Sequence, residues 1–167
     1  MPLDLTIGLR TLIRAKFASV VTPLANFLPT RAVKVLHQVT DWREAISRAG
    51  DGLIAQGAVD PQYTREMIAV VEENGPYIVI APRIALAHAR PSSLVKFNAL
   101  SLVTLEHPVE FGAQKNDPVE IVFGLAATDS RSHLELMASL AQALSRPGFV
   151  ESVRGAQNFR EIQGILS

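Results

Sequence analysis

The 167-residue chain contains no cysteine, and that absence excludes a disulfide framework, a thiolate-held metal and a thiol nucleophile on this chain. It also has no excess of either charge. Sixteen Lys and Arg balance sixteen Asp and Glu for a formal net charge of +0, so there is no electrostatic case for nucleic acid or for an anionic membrane as a partner. No internal repeat, low-complexity tract or His-Glu-x-x-His pair interrupts the sequence, which leaves a helix-borne zinc site without its usual ligands. What is present is the composition of a globular chain. Hydrophobic residues at 48% against charged residues at 19% exclude disorder, and the length suits one domain with a real core.

Residues 1–32 stand apart from the rest. Arg10, Arg14 and Lys16 precede the apolar run Phe17-Ala18-Ser19-Val20-Val21, superficially in the manner of a signal peptide. Thr22, Pro23 and Asn26 interrupt the apolar stretch, which is too short to cross a bilayer, and no clear small-residue cleavage site follows. An amphipathic helical extension broken near Pro23 is expected, with no stable membrane insertion and no assigned role.

A short apolar run at residues 33–36 leads into a first helix, for which Thr40 is the expected cap with Asp41 at the positive end. Trp42, Ala45, Ile46, Ala49 and Leu53 recur at helical spacing, and Gly57 ends the pattern. Asp60-Pro61 starts a second helix whose stripe of Tyr63, Met67 and Val71 reads as core packing, and Asn74-Gly75-Pro76 stops it. Residues 100–105 and the alternation of Val119, Ile121, Phe123 and Leu125 with Glu120, Val122 and Gly124 predict strands. Leu136, Met137, Leu140 and Leu144 predict a further helix, broken by Pro147-Gly148. A last helix is opened by Asn158 and Glu161 as a capping box. Helix, helix, strands and then helices describe an α/β single domain over residues 33–167, its mixed sheet covered by helices on both faces.

Chemistry concentrates between residues 74 and 91, in Asn-Gly-Pro-Tyr-Ile-Val-Ile-Ala-Pro-Arg-Ile-Ala-Leu-Ala-His-Ala-Arg-Pro. If extended, this stretch places Ile84, Leu86, His88 and Arg90 on one face and Ala85, Ala87 and Ala89 on the other. A neutral imidazole is nucleophilic near neutral pH, and a guanidinium two residues on offers a forked donor suited to phosphoryl oxygens. Taken alone, Ala-His-Ala-Arg reads equally as the end of an ordinary helix or strand. Thr128-Asp129-Ser130-Arg131-Ser132-His133 opens the later helix, and a strand giving way to a helix there leaves backbone N–H groups that suit a phosphate. His133 then either sits on an exposed first turn or approaches whatever His88 holds.

The segment Gly75-Pro76-Tyr77-Ile78-Val79-Ile80-Ala81-Pro82, followed by Ala85-Leu86-Ala87-His88-Ala89-Arg90-Pro91, resembles the active-site region of phosphotransferase-system enzyme IIA proteins of the mannitol/fructose type, closest to the ascorbate branch. His107-Pro108-Val109-Glu110-Phe111, Asn116-Asp117-Pro118-Val119 and Ser132-His133-Leu134-Glu135-Leu136 fall in the family's order. The likeness runs over residues 33–166. It implies His88 as the phosphoryl acceptor, His133 as a second histidine assisting transfer, and HPr and an enzyme IIB as partners, without a cofactor. Arg90 is the expected stabiliser of the phosphoryl group. The chain departs from the family pattern at Ala87, usually proline, and at Arg83, often glycine.

The resemblance therefore implies a cytoplasmic phosphocarrier between phospho-HPr and a cysteine of enzyme IIB, in coupled uptake and phosphorylation of an ascorbate-type sugar. A regulatory protein of the same fold, phosphorylated on the same histidine but acting by binding a target, is the alternative. A more remote one is a metal hydrolase with His88, His133 and Asp129 as ligands.

Overall fold

A computed structural model describes residues 23–167, and residues 1–22 of the helical extension expected over residues 1–32 lie outside them. Among the described residues the sheet has five strands: β1 (Val33–His37), β2 (Val79–Ala81), β3 (Ile84–His88), β4 (Ala99–Val109) and β5 (Val119–Ala126). They lie in the order β1-β4-β5-β3-β2, with β1/β4 and β3/β5 parallel and β4/β5 and β2/β3 antiparallel. This is the mixed sheet anticipated above. The run at residues 33–36 falls in its edge strand β1, half-buried along its whole length, with Val33 and Val35 packed against one apolar layer.

Among the described residues five α-helices cover the sheet: α1 (Trp42–Ala55), α2 (Gln62–Asn74), α3 (Ser130–Leu144), α4 (Phe149–Gly155) and α5 (Phe159–Leu166). Ala45, Ile46, Ala49 and Leu53 of α1 and Tyr63, Met67 and Val71 of α2 pack with Ala85, Ala87 and Val122 on one face. On the other, Ile84, Leu86, Phe123 and Leu125 meet Leu136 and Leu140 of α3, Val153 of α4 and Ile162 of α5. Alternation along β3 thus serves two apolar layers. Each large side chain so buried contributes roughly 1.5–3 kcal/mol of transfer free energy.

One expectation needs correction. The cap of α1 is Asp41, whose carboxylate accepts the Glu44 N–H at 2.8 Å; Thr40 sits one residue outside and donates its N–H and hydroxyl to the Glu44 carboxylate at 2.7 and 2.8 Å. Asp41 has the extended backbone a capping residue needs, so its side chain reaches the third helical N–H. Leu24, Leu28 and Ala32 are buried in the layer beneath α3 and α5.

Close contact between α1 and the sheet depends on small residues beside the site. A Cβ on Gly52 would stand 2.7 Å from Cβ of Ser101, and one on Gly124 would collide with the Ser101 hydroxyl. That hydroxyl donates to the Ala49 carbonyl at 2.6 Å, joining helix to sheet in the core.

Candidate functional site

His88 is the last residue of β3, and its rung with Leu125 is the last of the parallel ladder to β5. Because β3 and β5 run parallel, their C-terminal ends share one edge of the sheet, where open α/β sheets hold their ligands. Residues 127–129 carry the chain from β5 into α3. Asp129 caps that helix by accepting the Ser132 N–H at 2.7 Å. His133 lies one turn in. Its ring centroid is 5.5 Å from that of His88, with the planes inclined at 53°.

A depression of about 520 Å³ at this edge is lined by His88, Arg90, His133, Tyr77, Asn74 and Ser130, among others. Tyr77 meets the His88 ring edge-on, with centroids 5.9 Å apart and an interplanar angle of 89°. Nδ1 of His88 lies 2.8 Å from the Leu86 carbonyl oxygen. A carbonyl can only accept, so Nδ1 carries the proton and the lone pair of the neutral ring is on Nε2. Burial pushes the His88 pKa below its ordinary 6.5, and the bond to Leu86 opposes that shift. The His133 pKa is lowered too, first by burial and then by the neighbouring His88. Two imidazoles this close do not share a second positive charge easily.

Arg90 lies two residues past the end of β3, so the strict strand face expected for it is not formed; it is exposed at the rim and among the described residues makes no ion pair. Its charge acts on Tyr77, partly opposing the upward push that burial gives the phenol. The backbone N–H groups expected to face an anion at the start of α3 are partly engaged, since Asp129 takes that of Ser132 through its carboxylate and that of His133, at 3.0 Å, through its carbonyl. Ser130 remains on the depression.

The family model described as "Phosphoenolpyruvate-dependent sugar phosphotransferase system, EIIA 2" matches residues 26–167. The chain belongs to this family. It is 40% identical over 106 residues to the ascorbate-specific PTS system EIIA component of Escherichia coli K12, covering 64% of this chain and 69% of that protein. Its fold matches the solution structure of the mannitol-specific cryptic phosphotransferase enzyme IIA of Escherichia coli with a TM-score of 0.79 at 28% identity, over 87% of this chain and 99% of that one. It also matches, in fold alone, the Escherichia coli mannitol enzyme IIA solved in complex with phosphorylated mannitol enzyme IIB: TM-score 0.74 and 22% identity, over 83% and 95% of the two chains.

Membership in enzyme IIA makes sense of the two departures. Arg83 stands in the turn between β2 and β3 with φ of 70°, a left-handed conformation that favours glycine. A side chain in that region costs on the order of 1–2 kcal/mol. Backbone bonds from Arg83 N–H to Asn116 (2.8 Å) and from Glu120 and Ile121 N–H to the Arg83 carbonyl (2.9 and 3.1 Å) hold it there. Ala87 pairs with Gly124 inside the β3/β5 ladder, so the strand runs unbroken to His88 without the proline.

Tyr77, Tyr63 and Asn98 are the residues whose part at this edge sequence reasoning did not anticipate. Asn98 accepts both the N–H and the hydroxyl of Thr128 at 3.0 and 3.2 Å, fixing the approach to α3. No periodicity signals such a contact, because it joins two loops far apart in the chain. Among the described residues no group of three or more His, Asp or Glu side chains could hold a metal ion, and no helix is long and apolar enough to cross a membrane.

Proposed function

We propose that this enzyme IIA takes a phosphoryl group from phospho-HPr onto Nε2 of His88 and passes it to a cysteine of an enzyme IIB, which phosphorylates an ascorbate-type sugar during uptake. The observation that carries this reading is the bond of His88 Nδ1 to the Leu86 carbonyl on a rim shared with His133. It holds the ring in the tautomer whose Nε2 lone pair is available for attack. In acceptance, that lone pair forms a new P–N bond as the donor's P–N bond breaks and the donor nitrogen keeps the electron pair. No proton moves at Nε2. In donation, a thiolate of enzyme IIB forms an S–P bond while the His88 P–N bond breaks and its electrons return to Nε2.

Both steps exchange one labile phosphoryl bond for another, so positioning and charge neutralisation are what the protein must supply. His133 contributes a hydrogen-bond donor beside the transferring group, and Arg90 at the rim contributes a guanidinium that holds two of its oxygens. No cofactor has a part. A thiol on the partner fits a chain without cysteine. The ascorbate-type substrate rests on the relative named above and on the Ala89-Arg90-Pro91 sequence after the acceptor.

Incubation with phosphoenolpyruvate, enzyme I and HPr is the test. One acid-labile phosphoryl group is expected on the parent and none on His88→Ala. Loss of coupled ascorbate uptake in cells that carry the matching enzyme IIB and permease but His88→Ala in this chain is the corresponding physiological result. Uptake that persists while phosphorylation of His88 alters binding to another protein supports the regulatory role.

A further inference from the structure

Tyr63 on α2 takes no part in the chemistry just described, yet its hydroxyl lies at the joint on which that chemistry turns. The side chain is wholly buried, with 0% exposure. Its oxygen is 2.8 Å from the Leu125 carbonyl and 3.1 Å from the Ala89 nitrogen, with the Ala89 carbonyl farther away at 3.3 Å. A phenol has one proton to give, and the shorter contact to Leu125 takes it, while the Ala89 N–H donates to the oxygen's lone pair. Burial pushes the Tyr63 pKa up to about 12, so the proton stays in place throughout the neutral range.

These two partners are not arbitrary points of the backbone. Ala89 follows the acceptor histidine directly, and Leu125 is the residue paired with His88 in the last rung between β3 and β5. Beyond that rung the strands part. The Tyr63 hydroxyl ties them together again, fastening the end that carries His88 to the end that leads into α3 and His133. Leu125 and Ala89 are both buried, so without the hydroxyl a carbonyl and an N–H would be left unpaired away from water. They would have to move to find partners.

We infer that Tyr63 is a positioning residue for phosphoryl transfer, its hydroxyl setting the spacing and orientation of His88 relative to His133 without touching the phosphoryl group. This rests on His88 being the acceptor. Tyr63→Phe keeps the ring and its packing and removes only the clamp. A misplacement of about 1 Å costs on the order of 10²-fold in a transfer that depends on alignment. Single-turnover acceptance by Tyr63→Phe at saturating phospho-HPr is therefore expected to fall about tenfold to a hundredfold. The phospho-HPr concentration giving half the maximal rate stays near the parent's, because no side chain at the exposed rim is replaced.

Two readouts separate positioning from mere destabilisation. In NMR titrations of the unphosphorylated protein, the His88 and His133 rings of Tyr63→Phe should titrate closer to 6.5 than those of the parent, as the strand ends loosen and water enters. Met67→Ala, on the same buried stripe of α2, is the stability control: it lowers the melting temperature and leaves both titrations and the saturated transfer rate as in the parent. In the parent itself, the Ala89 amide should exchange with solvent as slowly as the amides within the β3/β5 ladder, a measurement that needs no variant. A folded Tyr63→Phe protein with parental transfer rate and parental histidine titrations overturns the inference, and so does fast exchange at Ala89. A parent that takes no phosphoryl group on His88 overturns the assignment beneath it instead, whatever the histidine titrations and the Ala89 exchange show.

Discussion

Replacing His133 with alanine tests the part of the site that the fold, and not the local sequence, brings together. Nδ1 of His133 is buried with no hydrogen-bond partner among the described residues. With the proton of the neutral ring on Nε2, no buried donor is left unpaired, and Nε2 is then the atom able to donate. Its centroid lies 5.5 Å from that of His88, close enough for that N–H to reach an oxygen of a phosphoryl group in transit between His88 and a partner. Removing one such donor from a water-excluding site costs about 10²–10³ in rate. The His133 side is only half-buried and opens onto the depression, so the lower end applies: about 10², or roughly 2.7 kcal/mol. Rapid-quench transfer of labelled phosphate from phospho-HPr, and onward to enzyme IIB, reads the loss in each direction. His133→Gln, which returns an N–H donor near the position of Nε2, should recover part of it. Parental rates for His133→Ala in both directions would refute the reasoning, and so would equal losses in the alanine and glutamine variants.

Arg90→Lys keeps the charge but loses the fork; we expect normal folding, slower phosphorylation and nearly unchanged HPr affinity, and single-turnover rates across HPr concentrations should show the defect persisting at saturation. A loss of affinity with an unchanged maximal rate would make Arg90 a docking residue. The lowered pKa of both histidines keeps their rings neutral below 6.5, so acceptance should hold steady as pH falls through 6.5 and drop only at the depressed folded values. Stability has the matching sign. The unfolded imidazoles bind protons near 6.5 while the folded ones resist, so the contribution is complete above that pH and is lost between it and the folded values, as pH-dependent urea unfolding would report. Gly124→Ala forces the Ser101 hydroxyl off the Ala49 carbonyl in a closed core, and urea titration should show a loss of about 1–3 kcal/mol.

That residues 84–88 are extended could be stated only as a condition, because both faces of β3 enter apolar layers and residues 84–87 are apolar throughout. The helices were legible because each buries one stripe at helical spacing, although the cap of α1 fell on Asp41 and not on Thr40. Strand β1 was not, because the alternation Val33-Lys34-Val35 is too short to distinguish a strand from other structure. The approach of His133 to His88 could be stated only as a condition, since it requires β3 and β5 to be parallel neighbours, and strand order is a property of the whole sheet. Tyr63 shows the limit most clearly. Its place on the apolar stripe of α2 was read correctly as core, and nothing in that stripe tells where a buried hydroxyl will point. Arg90 was placed on a strand face that ends two residues too soon for it.

The central claim is that Nε2 of His88 receives the phosphoryl group while Nδ1 keeps its proton on the Leu86 carbonyl. NMR of the protein with ¹⁵N-labelled imidazoles, recorded before and after phosphorylation by phosphoenolpyruvate, enzyme I and HPr, observes both nitrogens at once. The account predicts one phosphoryl group, on Nε2 of His88, an Nδ1–H retained in both states, and no label in His88→Ala. Phosphorylation at Nδ1 of His88, or on any residue of His88→Ala, would contradict it.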